Sequence, residues 1–272
     1  MKKERRDFLK LAGVAAAAGM GGTSAVQSLL GGEVQAAGLK RLGAEKEHKE
    51  GLRLGLAIDV RKFASIPGLA ERCVEVCHSI HNVPDFGNPK DEIKWLWQER
   101  FDRVFVKDTH DRQAPELQKL PVLTLCNHCD NPPCVRACPT KATFKKDDGV
   151  VAMDYHRCIG CRFCMAACPY GARSFNWRDP RGKDEQGQPF IDEVNTEYPT
   201  RTAGVVEKCN FCVERLAEDK LPACVEEAAP YGAMIFGNLN DHNSEISRVL
   251  RERYSIRRRA ALGTHPSVFY LI

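Results

Sequence analysis

Two cysteine runs of one design, set back to back, limit what this chain can fold into. Cys126, Cys129, Cys134 and Cys138 are spaced C-x2-C-x4-C-x3-C and are followed by Pro139. Cys158, Cys161, Cys164 and Cys168 are spaced C-x2-C-x2-C-x3-C and are followed by Pro169. Small domains with poor apolar cores commonly depend on metals or disulfides as staples. The chain of 272 residues holds 13 cysteines, and an odd number excludes a complete set of intrachain disulfides. Its 43% hydrophobic and 28% charged residues exclude a disordered chain and a polytopic membrane protein. A net charge of +4 is too balanced for a nucleic-acid binder.

The chemistry follows from the spacing. Thiolates close together on one turn can bind three irons of a cubic cluster, while the displaced fourth serves a neighbour. The second run is the bacterial ferredoxin spacing, in which the fourth cysteine ligates the other cluster. Zinc is the competing reading, since four thiolates also make a tetrahedral site. Paired quartets that each end in Cys-Pro fit iron–sulfur clusters far better.

Two further motifs are degraded copies. Cys209, Cys212 and Cys224 begin a third set, and Ala229-Pro230-Tyr231-Gly232-Ala233 aligns with Cys168-Pro169-Tyr170-Gly171-Ala172, leaving Ala229 where a cysteine is expected. Upstream, Asp59 to Phe63 repeats the step from Asp154 to Cys158, and Cys73 and Cys77 repeat that from Cys164 to Cys168. Phe63 therefore stands in a first-cysteine slot.

Residues 1–37 read as an export signal. Arg5-Arg6-Asp7-Phe8-Leu9-Lys10 resembles the twin-arginine signal, and a mild apolar run precedes small residues at Ala36 and Ala37. The run is too short for a spanning helix. The periplasm is kept oxidising, so export of an already folded, cofactor-loaded chain would protect many thiols.

Taken together, the motifs resemble the four-cluster ferredoxin subunits of membrane-bound respiratory complexes, related to the electron-transfer subunits of dimethyl sulfoxide, tetrathionate and polysulfide reductases. In that family the second and third motifs exchange fourth ligands, as do the first and fourth. The resemblance implies one [4Fe-4S] cluster on Cys126, Cys129, Cys134 and Cys168, and another on Cys158, Cys161, Cys164 and Cys138. A third falls on Cys209, Cys212, Cys224 and Cys77. The fourth family site retains only Cys73, so three clusters are expected. With the export signal, this pattern is most similar to the iron–sulfur subunits of the Dsr assembly, the membrane complex associated with dissimilatory sulfite reductase.

The expected fold is α+β: tandem ferredoxin-like iron–sulfur domains with loop insertions. After the signal, residues 55–84 plus 201–240 form a first ferredoxin-like unit with one cluster, and 122–178 a second with two. Segments 85–121 and 179–200 are insertions, and 241–272 is a partner-docking C-terminal tail. Gly149 to Met153 is a β candidate. His128 is expected to sit behind the cysteines, and the arginines at 251, 253, 257, 258 and 259 to form a solvated or partner-facing surface. Cys73-Val-Glu-Val-Cys77-His78 is one residue too long for a c-type haem attachment site.

Nothing supplies a nucleophile–base pair, a nucleotide loop or an open metal position, so no catalytic residue is expected. The expected function is periplasmic electron transfer between a quinone-interacting membrane subunit, a multihaem cytochrome c and other redox subunits. The protein would sit on the outer face of the cytoplasmic membrane without a transmembrane helix of its own. The alternatives are a subunit of a molybdenum oxidoreductase or hydrogenase, and a zinc- or disulfide-stapled exported binding module.

Overall fold

The computed structural model describes residues 51–106 and 115–272; the signal expected at 1–37 lies outside them. In chain order the strands are β1 (Leu54–Asp59), β2 (Leu96–Arg100), β3 (Pro121–Leu125), β4 (Thr143–Lys145), β5 (Val151–Met153), β6 (Ser174–Phe175), β7 (Val206–Glu207), β8 (Met234–Asn238), β9 (Ser255–Ile256) and β10 (Val268–Leu271). The helices are α1 (Val60–Ser65), α2 (Leu69–Ile80), α3 (Phe101–Val104), α4 (Pro115–Lys119), α5 (Pro133–Arg136), α6 (Phe163–Ala167), α7 (Val213–Leu216), α8 (Ala223–Ala228) and α9 (Glu245–Glu252). This is the expected α+β, ferredoxin-like construction from short pieces. None of these helices is long and apolar enough to cross a membrane.

Four strands make the largest sheet, in the order β8-β1-β10-β9. β1 pairs antiparallel with β8, placing Leu56 opposite Phe236, and parallel with β10, placing Leu56 opposite Val268. The strand leading into the first motif is thus bonded to the strand leaving the fourth. The other sheets are antiparallel pairs: β2 with β3, β4 with β5, and β6 with β7. β5 realises the β candidate at residues 149–153.

The sequence repeat has a local physical counterpart. Asp59 ends β1 and caps α1 by accepting from the Lys62 N–H, while Asp154 follows β5 and accepts from the His156 N–H of a single 3-10 turn. A carboxylate at this position satisfies an amide that the first turn leaves open. In the first motif the turn continues as a helix, and Phe63 on it is buried in the main core.

Segment 85–121 brings Ile93, Trp95, Leu96, Phe101 and Phe105 into that core. Residues 241–272 supply α9 and the central strand β10. The basic stretch corrects its sequence reading. Arg253 pairs with the buried Asp59 at 2.6 Å, Arg258 is buried and donates to the Tyr170 carbonyl, and Arg257 lies over the Phe269 ring. Folding back onto β1 and the Tyr170 turn turns these cations inward; Arg251 and Arg259 stay exposed.

Candidate metal centre

The second, third and fourth motifs place their cysteines by the same device. The first two sit on a loop, and the third lies on a short helix: Cys134 on α5, Cys164 on α6 and Cys224 on α8. Cys168 caps the C-terminus of α6, and Cys138 lies two residues past α5. The fourth thiol therefore leaves from the far end of the helix, away from its own loop.

One cavity of about 330 Å³ is lined by Cys77, Cys209, Cys212 and Cys224. Its other walls include Leu56, Leu96, Leu125, Phe211, Val225 and Phe236, an apolar surround. A second cavity of about 280 Å³ is lined by Cys138, Cys158, Cys161 and Cys164, with Thr143, Met153, Ile159 and Arg162. The remaining expected quartet also meets. The Cys129 thiol is pushed up to about 12 by burial first, and by the nearby thiols of Cys126, Cys134 and Cys168. Eight of the expected cysteines thus line the two cavities in fours, and Cys126, Cys134 and Cys168 act on the Cys129 thiol.

Electrostatics differ among the quartets. Burial, followed by crowding from Cys224, Cys209 and Cys212, raises the Cys77 thiol well above its ordinary range. Burial also raises Cys224, aided by Cys209 and Cys73. At Cys138 burial is outweighed by hydrogen-bond donors, first the Thr143 amide, which donates to the Cys138 sulfur at 3.5 Å, and then the Thr140 hydroxyl, so that thiol is held low. Buried neutral thiols must lose protons to bind a metal, so loading these sites is pH-dependent.

The donor set fits [4Fe-4S] clusters. Four sulfurs face each of two cavities, and buried donors beside the cysteines have no protein partner: Asn127 Nδ2, between Cys126 and Cys129, and Arg173 Nη2. Sulfides of a cluster would supply the missing acceptors.

Cys73 stands apart. It lines neither cavity, its sulfur donates to the Cys224 carbonyl at 3.5 Å, and burial pushes its pKa up to about 12. Ala229 is exposed. His78 Nε2 donates to the Leu96 carbonyl at 3.1 Å, a structural role that leaves the haem reading without its ligand.

His128 is buried between the first two cysteines of its run. Its Nδ1 accepts the Val151 N–H at 3.1 Å, and burial holds its pKa well below the ordinary range.

Sequence reading missed the polar network behind the first cavity. His81 lines that cavity, stacks on Trp95 at 4.5 Å, and places Nε2 2.8 Å from Glu214 Oε1. Those two residues and Cys212 bring ligand atoms within 4.8 Å of one another. The direct His81–Glu214 hydrogen bond makes the pair a support for the cysteine loop. Trp95 Nε1 donates to Glu207 at 2.9 Å, and Glu207 pairs with Arg201 at 2.5 Å, both fully buried. Arg201 also donates to the His81 and Asn82 carbonyls. None of these residues sits in a repeated spacing, so no sequence signal marked them.

Comparison with known proteins decides the family. Residues 119–186 match a model described as a 4Fe-4S dicluster domain. The chain is 40% identical to the Hdr-like menaquinol oxidoreductase iron-sulfur subunit 1 of Archaeoglobus fulgidus, over 98% of this chain and 97% of that one. The chain belongs to this family of iron–sulfur subunits. It is also 34% identical to the menaquinone reductase iron-sulfur cluster-binding subunit of Nitratidesulfovibrio vulgaris, over 83% of this chain and 90% of that one. To the arsenate respiratory reductase iron-sulfur subunit of a Shewanella species it is 32% identical, over 81% and 96%. Members of the family are electron-transfer subunits of oxidoreductase complexes, not catalytic subunits. The dicluster match spans both cysteine runs, the part of the chain whose spacing is most regular.

Proposed function

We propose that the chain is a periplasmic electron-transfer subunit carrying three [4Fe-4S] clusters, held by the three cysteine quartets drawn from the sequence. A cluster supplies a one-electron site whose potential the protein sets through charge, hydrogen bonds and solvent exposure. The protein's own part is to fix the three sites, bury them and position their neighbours.

The observation that carries the reading is the first cavity. Cys77 comes from one motif and Cys209, Cys212 and Cys224 from another, yet all four face the same space. Phe63 and Cys73, which stand at ligand positions of the fourth family site in the sequence alignment, are packed into the hydrophobic core. The thiols connect the quartets in sequence: Cys209 neighbours Cys126, and Cys164 neighbours Cys134. The quartet of Cys126, Cys129, Cys134 and Cys168 is therefore central.

The activities of two relatives, a menaquinol oxidoreductase and a menaquinone reductase, support a quinone-interacting membrane subunit as partner. A multihaem cytochrome c and further redox subunits complete the proposed complex, which the sequence motifs liken to the Dsr assembly with its iron–sulfur subunit O. Export rests on Arg5 and Arg6. The proposed division keeps 55–84 plus 201–240 and 122–178 as two cluster-binding units, and 241–272 as the segment that meets partners.

The test is iron and acid-labile sulfide in anaerobically purified holo-protein. About twelve of each per chain is expected for three cubic clusters. About sixteen would overturn the loss of the fourth site, and about eight would remove the third quartet.

A further inference from the structure

Arg173 directly follows the Cys168-Pro-Tyr-Gly-Ala turn, where its position in the sequence suggests nothing special. It is only 5% exposed. Nη1 donates to Thr143 Oγ1 at 3.1 Å and to the Met153 sulfur at 3.2 Å. Both of those residues line the cavity of Cys138, Cys158, Cys161 and Cys164. Nη2 is buried without a protein partner. Among the described residues no carboxylate forms an ion pair with this guanidinium, although the equally buried Arg201 has Glu207.

Its electrostatic neighbours are instead thiols. Cys134 and Cys126 belong to the central quartet and Cys164 to the neighbouring one, and all three thiols act electrostatically on the guanidinium. A buried cation without a counter-charge is strongly unfavourable, and an arginine cannot escape that cost by losing its proton. The counter-charge must come from the two cysteine-bound groups on either side.

We propose that Arg173 is a shared positioning residue at the junction of two iron–sulfur sites, a single fixed cation that sets the reduction potential of both. This rests on the proposed ligand quartets. Adding an electron to either site brings negative charge beside the guanidinium, so Arg173 raises both potentials. When one electron moves across the junction, one site is oxidised and the other reduced, no proton moves, and the total charge around Arg173 is unchanged. The hop therefore needs little rearrangement of this side chain.

The test uses full-length holo-protein and the variants Arg173→Gln and Arg173→Lys, read by iron content and by potentiometric titration with electron paramagnetic resonance. Cys77→Ala identifies the signal of the third site. With Gln, two of the three midpoints should fall, each by at least tenfold in the reduction equilibrium, or 59 mV for a one-electron couple. The third should stay in place. Lys keeps the charge but not the fork, so both midpoints should shift down together by less. If Gln fails to load, the Lys titration decides. Midpoints that do not move, or that move at one site alone, overturn the proposal. A wild-type iron content far from twelve would instead overturn the three-cluster reading, which separates the two failures.

Discussion

His128 and Phe211 stack face to face, with ring centroids 3.6 Å apart and planes at 17°. Each is the third residue of a Cys-Asn-x-Cys loop, Cys126 to Cys129 and Cys209 to Cys212, and each has a positive φ, 41° and 59°. The ring contact pins the two loops together, so the third cysteine set is packed against the first run and is not a separately attached module.

The two cysteines of the first motif should behave differently. Cys77→Ala removes a lining thiol of the first cavity and should lower iron by about four atoms per chain. Cys73→Ala leaves every quartet complete and should leave iron unchanged. Iron assay of both purified variants checks this, and the reverse pattern would refute the ligand set.

Gly160 lies between Cys158 and Cys161 with φ of +68°, and an added Cβ would come 2.3 Å from the Gly204 carbonyl. Backbone strain of about 1–2 kcal/mol adds to that clash. Gly160→Ala should distort the loop and lose about four irons per chain, while signals from the Cys209 quartet persist.

Arg201→Met should destabilise the protein strongly, because it strands the fully buried Glu207 carboxylate. Breaking such a pair costs about 3–5 kcal/mol. The double change Arg201→Met with Glu207→Gln should recover part of the loss. Urea midpoints of wild type and both variants measure it; equal midpoints for the single and double changes would contradict the expectation.

Tyr270 is fully buried on β10 with an unpartnered hydroxyl, and burial pushes its pKa up to about 12. In the unfolded chain the phenol ionises near 10. Its contribution to stability is therefore complete below about pH 10 and is lost as pH rises through about 12. Tyr270→Phe should remove that alkaline loss and gain about 1–2 kcal/mol at neutral pH, since the buried hydroxyl has no partner. Unfolding midpoints between pH 7 and pH 11 test both parts.

Replacing Arg5 and Arg6 with Lys should leave folded holo-protein in the cytoplasm. Unchanged delivery across the membrane, followed by fractionation and visible absorption, would refute the twin-arginine reading.

The cysteine spacings between residues 126 and 168 were legible because each ligand there lies within a few residues of another and the motif repeats. The pairing of Cys77 with the third set was reachable through family resemblance, since no local spacing links residue 77 to residue 209. The network of His81, Trp95, Glu207 and Arg201 was not legible. Each member is an ordinary residue in an unpatterned segment, and its partners are fixed by folding of the whole chain. Polar segments such as 85–121 also hid Trp95 and Phe105, because isolated aromatics in a charged stretch do not advertise burial. The arginine-rich stretch misled for the converse reason: charge density suggests solvent, while Asp59 and the Tyr170 carbonyl are waiting partners inside.

The register that sets Leu56 beside Val268 has a kinetic consequence. Parallel pairing between such distant segments carries a large loop-closure entropy, and high contact order slows folding. β1 has no parallel neighbour until almost all of the cysteine-bearing chain has been synthesised. The sheet is therefore a late-closing latch: all thirteen cysteines, the last at residue 224, are synthesised before the strand that shuts it.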